Sequence, residues 1–152
     1  MYSYRNLPDE MKTSMNMKLM VVLFVFGIIL SPINSMGDLV FRPADPYEFL
    51  RVALNIYCPW SCRNQKDFRF CFIENDDKII LDFGVNCARQ HLGFCQTVEK
   101  CCDLICENRQ TNGQDYDDFI HCYANATYTH SFADCNVYPR IIECLLTATN
   151  CS

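Results

Sequence analysis

The chain has 152 residues, a formal net charge of -5, 20% charged and 50% hydrophobic residues, and twelve cysteines. That length fits one ordinary domain. The acidic balance excludes a basic nucleic-acid-binding face, the composition is not that of a disordered chain, and the cysteine load is wrong for a reducing cytosol.

Leu19 to Leu30 is apolar apart from Gly27, and it follows Lys12 and Lys18. A short apolar run behind basic residues predicts a secretory signal peptide over 1–37, with Met17 as an alternative start and cleavage before Asp38 or just after Ser35. The run is shorter than the roughly 20 residues a bilayer span needs, so no stable membrane span is expected after cleavage. Residues 38–152 then read as a single cysteine-rich extracellular domain. All twelve cysteines lie within it: Cys58, Cys62, Cys71, Cys87, Cys95, Cys101, Cys102, Cys106, Cys122, Cys135, Cys144 and Cys151.

An even count makes six bridges with no free thiol the default expectation, although twelve cysteines allow about ten thousand pairings. Spacing excludes some of these. Cys102 and Cys106 sit one helical turn apart, with Cβ atoms about 5–6 Å apart where a bridge needs about 3.8 Å. Cys101 and Cys102 are adjacent and should face different partners.

Residues 38–44 read as an extended lead-in. Asp45, Pro46 and Glu48 then form a helix start, with Asp45 as N-cap and Pro46 at the first helical position. Phe49, Val52, Ala53, Ile56 and Tyr57 follow at helical spacing until Pro59. Phe68, Phe70 and Phe72 alternate with Arg69 and Cys71, which reads as a strand. Glu74 to Asp77 reads as a turn. The stretch from Lys78 is either the returning strand of a hairpin over 68–83 or a helix capped by Asp76 or Asp77. The four-residue repeat of Ile79, Phe83, Cys87 and His91 favours the helix, with Gly84 as its weak point. Further helices are predicted from Thr97 to Glu107, from Asp115 as a cap, and after Pro139, with Asn108–Gln114 as a loop. The fold class is mainly α: a small disulfide-stapled domain of four to five short helices.

Asn125-Ala126-Thr127 is an N-glycosylation acceptor in an exported chain, and Asn150-Cys151-Ser152 is a weaker one. Asp118, His121 and Asn125 would share the outward face of their helix. Trp60, Phe68, Phe70 and Phe72 are the candidate binding residues, most of them core, with an apolar cavity between helices suiting a small lipophilic ligand. No catalytic, metal or cofactor site is predicted. His91, His121 and His130 read as surface residues, and Asp115, Asp117 and Asp118 lack EF-hand spacing. Cys58-Pro59-Trp60-Ser61-Cys62 has one residue too many for a redox motif. Cys101-Cys102 is not followed by the His-Asp pair of secreted calcium-dependent phospholipases.

The spacing of Cys87 and Cys95, the Cys101-Cys102 pair, and Cys122 and Cys135 resembles helical cysteine-rich domains of secreted invertebrate proteins, including some nematode egg-shell chondroitin proteoglycan cores. The Ser-Gly dipeptide that carries the glycan in those proteins is missing here, so the resemblance implies no glycan role. The expected function is a secreted, non-enzymatic binding or effector protein acting on an extracellular protein or a small apolar ligand. The alternatives are a small secreted hydrolase, which would need a histidine facing a carboxylate or hydroxyl in a cleft, and a protease inhibitor with a rigid loop at 108–114 or 126–131.

Overall fold

The computed structural model describes residues 41–111 and 113–150, the last two of these by their backbone alone. All of them belong to one compact unit, 39–152. The predicted signal peptide, its alternative start, its cleavage site and Cys151 lie outside the described residues.

The described residues form six helices and no strand: α1 Pro46–Tyr57, α2 Cys62–Glu74, α3 Lys78–His91, α4 Val98–Thr111, α5 Gln114–His130 and α6 Val137–Asn150. Local chemistry sets several of the ends. The Asp45 carboxylate accepts from the Tyr47 and Glu48 amides, and Pro46 occupies the first turn, where its missing N–H costs nothing. The Ser61 hydroxyl accepts from the Asn64 amide to start α2.

Four expectations are corrected. The 68–83 hairpin is replaced by the end of α2, a short turn and the start of α3. Phe68 and Phe72 are four residues apart and share a helical face, while Phe70 is displaced by two residues and faces out. The loop expected at 108–114 is much shorter, because α4 continues to Thr111 and α5 begins at Gln114. Gly113, not Asp115, is the N-cap of α5. The last helix starts at Val137, with Pro139 in its first turn. Asp77 does precede α3, but its carboxylate takes Arg140 Nε at 2.9 Å and does not cap its own helix.

The helices pack in antiparallel pairs. Tyr47 and Arg51 of α1 meet His121 and Asp117 of α5 in reverse order. Cys71 and Asp77 meet Cys144 and Arg140 in the same sense, so α2 runs against α6. Cys87 and Phe83 of α3 meet Cys122 and His130 of α5. Helix α5 is central: Phe119 and Ile120 are fully buried, each burial being worth about 1.5–3 kcal/mol, and Tyr116 is nearly so. Gly84 packs against α5, where a Cβ would lie 3.1 Å from Tyr123 Cε1. The residue predicted as a weak point of the helix thus sits where a larger side chain would press on the Tyr123 ring.

Four bridges are formed: Cys58–Cys106, Cys71–Cys144, Cys87–Cys122 and Cys95–Cys101. The first three staple the end of α1 to α4, α2 to α6, and α3 to α5, so each helix is cross-linked to another. The expectation of six bridges is not met among the described residues. Cys62 and Cys135 are exposed and unpaired, and Cys102 is half-buried and unpaired. Cys102 and Cys106, expected from their spacing to bond elsewhere, do so only in part: Cys106 pairs with Cys58, whereas Cys102 is unpaired and only Cys101 of the adjacent pair has a partner.

Candidate functional site

Three of the four aromatic candidates form one packed cluster. Trp60 and Phe68 meet Tyr57 at ring-centroid distances of 5.9 and 5.1 Å, and Phe68 meets Phe72 edge-on at 5.0 Å. Phe72 is fully buried, and Trp60 and Phe68 are half-buried. Phe70 alone is exposed, beside Ile73 on the outer face of α2.

Phe68 and Phe72 also line a cavity of about 50 Å³ inside the bundle, with Ala53, Leu54, Val85 and Ile105 among its other apolar lining residues. Arg69, Tyr57 and Cys102 stand at its polar edge. Arg69 Nη1 donates to the Tyr57 phenol oxygen at 2.7 Å, and the Cys102 thiol lies against the same phenol. Burial pushes the Tyr57 phenol far above its usual range. Burial also pushes the Cys102 thiol up, only partly offset by its hydrogen bond to Tyr57 and the nearby Arg69 charge. Both groups are therefore neutral near pH 7.

A second feature escaped the sequence reading. Phe94 is 83% exposed, the most exposed large apolar side chain among the described residues. It sits between α3 and α4 on a loop that is held from three sides. Gly93 turns the chain with φ +126°, and nothing lies within 4 Å of where its Cβ would be, so the backbone angle alone demands glycine. The Cys95–Cys101 bridge ties the loop to the first turn of α4. Arg89 Nε donates to the Cys95 carbonyl at 3.0 Å and Arg89 Nη2 to that of Gln96 at 3.3 Å. Lys100, Asp103, Leu104 and Glu107 of α4 form an open cleft alongside Phe94. The sequence signal was Gly-Phe-Cys with a second cysteine six residues on: a turn residue, an aromatic and a staple.

His121 stacks on Tyr47 at 4.2 Å and His130 meets Phe83 edge-on at 5.6 Å. Among the described residues no histidine is ion-paired to a carboxylate, and no group of three or more metal-ligating side chains exists. Asp117 is taken by Arg51 and Asp118 by Gln114. Of the two loops considered for protease inhibition, 126–131 lies in the last turn and cap of α5, and 108–111 lies in α4. The stapled exposed loop is 92–97 instead.

Asn125 is exposed on α5, as its helical position predicts. Thr127 of the same triplet is buried, its hydroxyl donating to the Tyr123 carbonyl at 2.9 Å. The Asn150 side chain lies outside the described residues.

The fold and these features define a small six-helix, disulfide-stapled domain. No helix of the described residues is long and apolar enough to cross a membrane, and the bridges are consistent with an extracellular protein. Comparison with known proteins finds no matching family, no matching curated protein and no matching solved structure.

Proposed function

We propose that the protein is a secreted, disulfide-stapled binding protein that docks onto another extracellular protein and performs no catalysis. The observation that carries this reading is Phe94, an aromatic side chain held out in solvent on a loop fixed by a bridge and two carbonyl contacts. Aromatic anchors dominate interface energetics, and a loop backbone already fixed in the free protein loses little entropy on binding. Lys100, Asp103 and Glu107 line the cleft beside it, with Lys100 paired to Asp103 at 3.6 Å, so the fitting partner offers an apolar pocket for Phe94 within a polar rim of both charge signs.

The test replaces Phe94 with p-benzoylphenylalanine in the protein secreted by its own source cells, followed by irradiation. The same replacement at Phe132, which is 63% exposed, serves as the control. One discrete cross-linked species from position 94 and none from 132 supports the reading. Equal ladders from both positions, or no product from 94, refute it. The intact mass of the same material tests secretion, since reducing four bridges adds roughly 8 Da.

A further inference from the structure

We infer that the internal cavity is a binding site for a small monocarboxylate, with its short apolar tail among Leu54, Phe72, Val85 and Ile105 and its carboxylate on Arg69. This site is separate from the docking surface, because no residue of the 92–97 loop lines the cavity.

The size sets the tail. A water needs about 10–15 Å³ of such space, and an apolar cavity of about 150 Å³ takes benzene. On those two scales a cavity of about 50 Å³ holds roughly two to four heavy atoms, enough for a short apolar tail, with the carboxylate at the polar edge beside Arg69.

The charge sets the head. The Arg69 side chain is 11% exposed, yet the carboxylate it pairs with is Glu99 at 3.9 Å, which is itself 63% exposed. Its short hydrogen bond goes to the neutral Tyr57 phenol. Arg51 and Arg140 are each 24% exposed and both have close carboxylates, Asp117 for the first, Asp77 and Glu143 for the second. The more buried cation thus has the poorer anionic partner, the reverse of what burial demands. A guanidinium presents five donors in a planar fork that matches a carboxylate. Neither Tyr57 nor Cys102 competes as an anion, since burial keeps both protonated.

The experiment titrates the intact oxidised protein with butyrate, using 1-butanol and butylamine as tail-matched controls, by calorimetry and NMR. Saturable butyrate binding about tenfold tighter than butanol is expected, from the charge-assisted bonds to Arg69. In Arg69→Gln, butyrate falls to the level of butanol while xenon still enters the cavity. In Ala53→Leu, which fills the space and leaves Arg69 in place, both butyrate and xenon binding are lost. If Arg69→Gln does not fold, Ala53→Leu decides alone. Absence of saturable butyrate binding, or its survival in Ala53→Leu, overturns the inference.

Discussion

Removing the Cys71–Cys144 bridge tests how the helices are held together. The two cysteines are 73 residues apart and join α2 to α6. A cross-link of that span removes loop-closure entropy worth about 4 kcal/mol from the unfolded chain, against about 2 kcal/mol for the six-residue Cys95–Cys101 ring. Cys144 is fully buried and Cys71 nearly so, so loss of the two sulfurs adds a small cavity cost in the same direction. The paired variant Cys71→Ala/Cys144→Ala is therefore expected to lose about 4 kcal/mol or slightly more, a large share of a typical domain's 5–15 kcal/mol. At roughly 4 °C per kcal/mol for a domain near this size, its melting temperature falls by about 15 °C. Urea unfolding under non-reducing conditions measures this, with Cys95→Ala/Cys101→Ala as the internal comparison. A loss below about 1 kcal/mol for the long bridge, or one no larger than that for the short ring, would refute the reasoning.

Other outcomes follow from burial and charge. Phe119→Ala empties the centre of α5 and is expected to cost about 3–5 kcal/mol, whereas Phe70→Ala, half in solvent, stays under about 1 kcal/mol; chemical denaturation separates the two. Native-state alkylation with peptide mapping should label Cys62 and Cys135 well before the half-buried Cys102, whose thiol burial also pushes up, and equal rates for all three would contradict this. Burial raises the Tyr57, Tyr116, Tyr123 and Tyr138 phenols, with Tyr116 pushed up to about 12. The unfolded chain then sheds these protons first, so stability is full below about pH 10 and falls as pH rises through the native values. Phenolate absorbance should appear together with loss of helical circular dichroism, and independent titration of all tyrosines in the folded state would sink this account.

Much of the helical framework is readable without the tertiary structure because its signals are local. Asp45-Pro46 carries the start of α1 within three residues, and the four-residue repeat of Ile79, Phe83, Cys87 and His91 identifies α3. The face that each helix buries is less legible: Leu50 and Leu54 are in the core, while Val52 and Ile56 are half-buried, because α5 and α6 choose the side of α1 they cover. Phe68, Phe70 and Phe72 satisfy a two-residue and a four-residue period at once, and only packing against Trp60 and Tyr57 selects the helix. Exclusion of a Cys102–Cys106 bridge follows from helix geometry, but the actual pairings join residues up to 73 apart and depend on which helices meet. The same holds for the two candidate sites. Arg69 reads as one residue of an alternating stretch until α1 and α4 close over it, and Phe94 carries no signal of its own until a left-handed glycine and a bridge hold it in solvent. Local chemistry determines where helices begin and what kind of domain can form; burial, pairing and exposure are properties of the assembled bundle, because each needs a neighbour that lies far along the chain.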